Sequence, residues 1–370
     1  VSRGILLEVE LLGFAGRPQC CHCQDSASFR CAACGAGYCS YECQRRHWKS
    51  HRAECLATDE RAEASLEAGC RLGAGAQVNL GALATPGRGR GVVICAGGPY
   101  LPLAFMSTRF LRDFCRCSLP IEIWHLPNEV PDVWTQRFAS ARGVSLRELP
   151  DLPRRRPEIW AVKPLALLAS SFQEILLLDA DNLPLKDPDV LFSEQGYQEA
   201  GALFWRDLGD FEESSPVQWR ALSGGLWDRR PAELQWEHES GQLLLDKSRC
   251  GAALCRAAKM ALHLEQLSPY LPGDGGDKDL FQIAWTLEKQ CFALCPWAPS
   301  AAGHRDLTHS GQGDGFVGHT MIQHGADGAP SFLHRTIDKH EALLDPKWEV
   351  VAAQSTKDKS ALGLERIYPD

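Results

Sequence analysis

Two groups of residues in this sequence have types and spacings that can do chemistry. The first is a ladder of soft ligands, Cys20-x2-Cys23-x7-Cys31-x2-Cys34-x4-Cys39-x3-Cys43-x7-His51-x3-Cys55. Eight thiolate and imidazole donors suffice for two tetrahedral zinc sites, and a Cys-x2-Cys pair is a turn that aims two thiolates at one ion. With every position filled by protein, no coordination position stays open for water, so the ladder reads as structural zinc rather than catalytic zinc. Cys21 and His22 fall off the ladder, and His47, one helical turn before His51, is an alternative ligand. The second group is Asp179-x-Asp181. Two ionised carboxylates directed into one cleft repel each other. A divalent cation with oxygen ligands removes that repulsion and can also hold a substrate's diphosphate. Taken alone, such a pair is most often a turn or a cap.

The elements around the acidic pair give it a setting. Glu174-Ile175-Leu176-Leu177-Leu178 reads as a buried strand that ends at Asp179. Upstream, Val92-Val93-Ile94-Cys95-Ala96 reads as a strand entering the Gly97-Gly98 loop, and Ile121 to Leu126 as another strand. Residues 101–115 suit a helix with Phe110, Leu111 and Phe114 on one face, and Lys163 to Ser171 suit a second helix. Gln242 to Leu245 is a further predicted strand, and a helix is expected to start near Asp277 and Asp279. Strands alternating with helices predict an α/β domain with a mostly parallel sheet flanked by helices, in which ligands gather at the carboxyl ends of strands. Ahead of it, residues 57–72 suit a helix, and residues 73–90, ending Pro86-Gly87-Arg88-Gly89-Arg90, have a linker's composition. The expected organisation is a zinc module over residues 17–56, a helix and flexible linker over 57–88, and a large domain over 89–370.

Composition excludes some classes. A formal net charge of -8 argues against general nucleic-acid binding through phosphates. No apolar run approaches the roughly 20 residues needed to span a bilayer, and the short Ile5 to Leu12 run carries two acids and lacks a signal peptide's basic start. Of 16 cysteines, eight crowd into the span from Cys20 to Cys55, a density that suits metal ligation better than a disulfide scaffold in so long a chain.

Both groups resemble known families. The ladder, with Tyr38-Cys39-Ser40 and Cys43-Gln44-x3-Trp48-x2-His51-x3-Cys55, resembles the MYND zinc finger. That resemblance implies interleaved sites, with Cys20, Cys23, Cys39 and Cys43 on one zinc and Cys31, Cys34, His51 and Cys55 on the other. It also implies a proline-containing peptide as partner. Arg45, Arg46, Lys49 and Arg52 give the last helix of the finger a basic, solvated face. In the large domain, several stretches resemble the fungal Mnn-type Golgi α-mannosyltransferases over about residues 89–345. They are Lys163-Pro164-Leu165 through Phe172, Leu178-Asp179-Ala180-Asp181-Asn182-x-Pro184-Leu185-x-Asp187-Pro188, Gly201 through Asp207, Glu239-Ser240-Gly241-Gln242 and Gly276-Asp277-Lys278-Asp279. The resemblance implies a GT-A-like fold, GDP-mannose as sugar-nucleotide donor, Mn2+ or Mg2+, a glycan or glycoprotein acceptor, and transfer with retained configuration. Whether such transfer uses a carboxylate nucleophile or front-face attack stays open.

On that footing Asp181 and Asp179 are the expected manganese ligands, although either could contact the donor's ribose. His334 is the expected third ligand, with Lys339 five residues later neutralising leaving-group charge, as in the His and Lys pair of glycogenin-like enzymes. His324 is the second choice, and His304, His309 and His319 are expected on loops. Lys163 is placed near the donor or, equally, in solvent at a helix start. Asp277 is expected to contact the transferred sugar, Asp279 to cap a helix or join catalysis, and Glu239 to hold donor or acceptor hydroxyls. Trp205 is read as core rather than as an apolar wall of the site. The family places the protein in the Golgi if an anchor lies upstream of Val1, whereas reduced thiolates in this chain alone suit cytoplasm or nucleus. The expected function is a mannosyltransferase with an interaction module. The alternative is a MYND adaptor whose transferase-like domain is an inactive scaffold. A MYND–SET methyltransferase lacks support, since no Asn-His-Ser-Cys motif follows.

Overall fold

A computed structural model describes residues 80–149, 162–210, 216–263, 277–305 and 316–335, with short gaps and a few isolated pieces elsewhere. Three of those pieces are strands β1 (Leu7–Glu8), β2 (Phe29–Cys31) and β3 (Gly37–Tyr38), which pair antiparallel. Cys23 is described and exposed. The remainder of the zinc ladder lies outside the described residues, apart from the backbone of Cys31, and so does Lys339.

The large domain is mixed α/β with a mostly parallel central sheet. Its strands are β4 (Arg90–Cys95), β5 (Ile121–His125), β6 (Val144–Glu148), β7 (Glu174–Asp179), β9 (Ala202–Asp210), β10 (Trp236–Asp246) and β11 (Ala293–Leu294), in the order β11-β9-β10-β7-β4-β5-β6. β4 runs parallel to β5 and β7, β5 parallel to β6, and β11 parallel to β9, while β10 runs antiparallel to both of its neighbours. Helices cover both faces, so the middle strands are apolar without alternation: Val92, Val93, Ile94 and Ile175 to Leu178 are fully buried. Successive side chains still point to opposite faces. Val93, Ile175, Leu177, Leu243 and Leu245 join one core, and Val92, Ile94, Leu176, Leu178 and Leu244 the other. Each such leucine contributes about 1.5–3 kcal/mol on burial.

The first core is closed by α4 (Val162–Ala169), α7 (Lys247–Leu262) and α8 (Leu280–Leu287). Pro164 sits in the first turn of α4, where its missing N–H costs nothing. Asp246 starts α7 by accepting from Ser248 N at 2.9 Å. On the other face α2 (Leu101–Arg109) continues into a π-helical turn, Phe110–Phe114. The wider turn changes the expected helix face: Leu111 is fully buried, but Phe114 is 60% exposed and stacks on Phe110. The remaining short helices are α1 (Leu80–Leu83), α3 (Asp132–Ala139), α5 (Gln195–Ala200) and α6 (Pro216–Ser223).

Residues 80–88, expected within the linker, are packed on this domain. Leu80 is buried in the first core, Thr85 N donates to Leu168 O, Arg88 N donates to Ser171 O, and Lys247 Nζ donates to Thr85 O. Apolar burial and the carbonyls left without helical partners at the end of α4 hold a segment whose composition alone reads as flexible.

A second, six-stranded antiparallel sheet has the order β16-β15-β12-β13-β14-β8. Its strands are β8 (Asn182–Pro184), β12 (Ser300–Arg305), β13 (Phe316–His324), β14 (Pro330–Arg335), β15 (Glu349–Ala352) and β16 (Gly363–Glu365). β8 follows β7 after the turn Ala180-Asp181, so the acidic pair lies where the chain passes from one sheet to the other. His304 and His319 lie on β12 and β13 rather than on loops, because strand pairing overrides their local Gly and Ser content. His309 lies outside the described residues.

Candidate functional site

The site is built where the two sheets meet. β4 and β7 end level, with Cys95 beside Asp179. The turn after β7 is fixed by Ser107 of α2, whose Oγ donates to Ala180 O at 2.7 Å. β8 then pairs with β14 so that Asn182 lies opposite His334, and Arg335 N donates to Asp181 O at 3.1 Å. This pairing brings His334 to the acidic pair across 150 residues of sequence. Ligand atoms of Asp179, Asp181 and His334 all lie within 4.8 Å of one another. His334 Nε2 is 3.4 Å from Asp181 Oδ1 and 3.7 Å from Asp179 Oδ2.

Glu239 stands behind the histidine. It is 6% exposed, and its Oε1 lies 3.3 Å from His334 Nδ1. It was expected ahead of a strand, holding sugar hydroxyls, but β10 begins at Trp236 and Glu239 lies within it. The pairing of β10 with β9 shifts register between Glu239 and Leu244, and such a bulge re-aims side chains beside a site. Gly241 lies in the bulge. A Cβ there would come within 2.5 Å of His334 Nδ1 and 2.8 Å of Glu239 Oε1, so only glycine leaves room for the ring. Asn182 Nδ2 donates to Gly241 O at 2.8 Å and to Gln242 Oε1 at 2.6 Å, tying β8 to the bulge.

Lys163, at the start of α4, is in the cluster rather than in solvent. Its Nζ is 2.8 Å from Asp179 Oδ1, 3.2 Å from Asp277 Oδ2 and 3.2 Å from Ser240 Oγ. Burial works against its charge, but Asp179 and Asp277 outweigh burial and raise its pKa. Asp277 is pushed up by burial against the pull of Lys163. The lysine sits closer to Asp179, and the Asp179 charge itself disfavours a second anion nearby. For Glu239, burial opposes ionisation, yet His334 and the Gly241 amide hold its pKa down to about 2. Burial likewise opposes charge on His334, but Glu239 and Asp181 raise its pKa well above the usual histidine value. In the absence of a cation, the imidazolium and Lys163 balance the acids.

Other expected residues fall elsewhere. Asp279 makes no side-chain cap at the start of α8. Its Oδ1 instead accepts from His238 N at 2.9 Å and Gln282 Nε2 at 3.0 Å, clamping α8 to β10, and burial lifts its pKa to about 7. His324 is engaged by Ser300 Oγ and Gly328 O, away from the acidic pair. Trp205 is fully buried and donates to His324 O, as a core residue does. The Gly97-Gly98 loop is shaped by packing: a Cβ at Gly97 would strike the Glu129 carboxylate, and Gly98 has φ +52°. Ser107, Asn182 and Gly241 carry no separate signal in the sequence, although Asn182 and Gly241 stand within the motifs above.

Two carboxylates and one imidazole converging at the carboxyl end of the central strands form a hard-to-intermediate donor set. It suits a divalent cation that takes its remaining ligands from a phosphate and water. Residues 89–221 and 228–325 match the family described as Mannosyltransferase putative, more than half of the chain, and the chain belongs to that family. His334 lies beyond the matched span. The chain is 32% identical over 128 residues to alpha-1,2-mannosyltransferase MNN2 of Saccharomyces cerevisiae, covering 33% of this chain and 21% of that protein. It is 33% identical over 126 residues to alpha-1,2-mannosyltransferase MNN24 of Candida albicans, covering 33% and 18%. The matched segment thus spans about a fifth of these relatives' length. Among solved structures, mouse xyloside xylosyltransferase 1 aligns with a TM-score of 0.36 at 13% identity, over 56% of this chain and 87% of that one. A likeness that slight carries no argument about the site. No helix among the described residues is long and apolar enough to cross a membrane.

Proposed function

We propose that the large domain is a GT-A-like glycosyltransferase that moves mannose from GDP-mannose to a hydroxyl of a glycan or glycoprotein acceptor, with retention and with a divalent cation. The observation that carries this reading is the convergence of Asp179, Asp181 and His334 at a strand end in a chain of the putative mannosyltransferase family. Those three residues would hold Mn2+ or Mg2+. When bound, such an ion supplies positive charge to the leaving diphosphate. Lys163 orients Asp179 and Asp277 through its two ion pairs. Asp277, the partner held less tightly, is in place to contact the transferred sugar. Lys339 would add charge at the same diphosphate. The test is turnover of GDP-mannose, compared with UDP-sugars, with and without Mn2+. No binding of any sugar nucleotide would replace this reading with the adaptor alternative.

For the N-terminal module we propose two structural zincs on the eight-ligand ladder and a proline-containing peptide as partner. The support is the ligand spacing. Metal analysis should give two equivalents, with Cys39→Ser and Cys55→Ser each losing a different one. We place the start of the transferase domain before residue 80, because Leu80 and Thr85 are bound to it. Limited proteolysis that cuts freely between residues 80 and 88 would move that boundary back. Golgi location is proposed from the resemblance to the Mnn-type family on the condition of an anchor upstream of Val1, with cytoplasm or nucleus as the alternative, and fractionation of the native protein tests it.

A further inference from the structure

A histidine can offer its Nε2 lone pair to a cation only when the ring proton sits on Nδ1, and the hydrogen bond made by Nδ1 decides that tautomer. Here Nε2 of His334 faces Asp179 and Asp181, while Nδ1 is buried 3.3 Å from Glu239 Oε1, an ion-pair contact not yet aligned as a hydrogen bond. Glu239 is itself held. Its Oε1 accepts from Gly241 N, inside the bulge of β10. The bulge is in turn tied by Asn182 to β8, the strand that pairs with β14. Gly241 also provides the space that the ring occupies, since a Cβ there would meet both His334 Nδ1 and Glu239 Oε1. With Oε1 bonded to Gly241 N and turned to the ring, that oxygen of Glu239 is poorly placed to grip a sugar hydroxyl.

We propose that Glu239 is a positioning residue: it keeps the proton of His334 on Nδ1 and presents Nε2 beside the acidic pair, with Gly241 setting the distance between them. The proposal rests on the reading of Asp179, Asp181 and His334 as a divalent-cation site, and it replaces the expectation that Glu239 binds a hydroxyl. The Glu-Ser-Gly-Gln stretch then has one physical purpose. Its carboxylate faces the ring, its serine accepts from Lys163, its glycine makes room, and its glutamine anchors Asn182.

The test is calorimetric titration of the full chain with Mn2+ alone, no nucleotide present. Glu239→Gln should weaken Mn2+ by about 10- to 100-fold, as loss of a group that orients a metal-binding histidine does. In a His334→Ala background the same change should add nothing. Gly241→Ala should weaken Mn2+ severalfold without altering any charge, and it decides the matter if Glu239→Gln does not fold. Parent-like affinity in either variant overturns the proposal. So does an equal loss for Glu239→Gln in both backgrounds, which would make Glu239 a source of negative field acting independently of the ring. If Asp181→Ala loses Mn2+ while Glu239→Gln and Gly241→Ala keep it, only the positioning role fails. If the parent and Asp181→Ala bind Mn2+ alike, the cation site fails and the role of Glu239 with it.

Discussion

Two acidic neighbourhoods lie along β10, and they are built to opposite ends. Around Glu237, Lys278 Nζ is shared by Asp207 and Glu237 at 2.6 Å each, and Asp279 bonds a backbone amide and Gln282. Around Glu239, the carboxylates of Asp179, Asp181, Glu239 and Asp277 face Lys163 and a histidine. In the first group the acids are met by one shared lysine and by amide donors, and are used up in holding β9, β10 and α8 together. In the second, lone pairs from Asp179, Asp181 and His334 converge on one volume, and this is the only such convergence among the described residues. Counting buried acids does not separate a structural network from a cation site. What separates them is whether a lysine already fills the point where the lone pairs meet.

The contrast can be broken most directly by removing one member from each group. Asp181→Ala should abolish Mn2+ binding and lower turnover of GDP-mannose by on the order of 10²-fold or more, as loss of a charge-stabilising element does. Its Tm should stay close to that of the parent, because relief of repulsion from Asp179 offsets the lost contact with His334. Lys278→Met should do the reverse. It leaves two mostly buried acids uncompensated, at a cost of about 2–3 kcal/mol after allowance for the partial exposure of Lys278, with Mn2+ binding kept. If Asp181→Ala unfolds the protein, or Lys278→Met loses the metal, the division of labour is wrong.

Within the second group, Asp277→Asn should sharpen the distinction between holding an ion and acting on the sugar. Mn2+ affinity should remain within about twofold of the parent while kcat falls by about tenfold, the pattern of a group that acts mainly in the transition state. A matching loss of Mn2+ would instead make Asp277 part of the ion's shell.

The smallest expected effect is on the pH dependence of stability in the first group. Burial raises Asp279 to about 7, above its unfolded value near 3.9. The folded state therefore holds this proton more tightly, and the stability it contributes is fully present below about pH 4 and lost as pH rises through 7. Burial depresses His238 to about 4. Its contribution is present above about pH 6.5 and lost as pH falls through 4, the opposite slope. Asp279→Asn removes the first contribution alone. The Tm difference between variant and parent should grow in the variant's favour from pH 5 to pH 8. A difference that stays flat would mean that Asp279 is ionised throughout in the folded protein.

Much of the α/β layout was legible in the sequence because it rests on local pattern. Apolar runs such as Ile175 to Leu178 can be buried only as central strands, so β4, β5 and β7 and the helix at Lys163 fall close to where the pattern puts them. Asp179 and Asp181 stand at a strand end for the same reason. The π-helical turn at Phe110, the packing of Leu80 to Arg88 and the long β10 were not legible, since each depends on surfaces supplied by distant segments.

What the sequence determined by itself was the identity of the groups: two acids after a buried strand, a histidine downstream, and a Glu-Ser-Gly-Gln stretch between them. Resemblance to a family made His334 an expected ligand, but nothing in its neighbours distinguishes it from His324, which also lies in an apolar, strand-forming stretch. The tertiary structure sets His334, and not His324, beside the acidic pair. Pairing of β8 with β14 sets His334 opposite Asn182, and the other face of the ring then meets Glu239. His324, ten residues earlier on β13, is spent on Ser300 and Gly328. A contact across 150 residues depends on strand register, which the hydrophobic pattern of the whole sheet settles, and so it leaves no local trace in the sequence around the histidine.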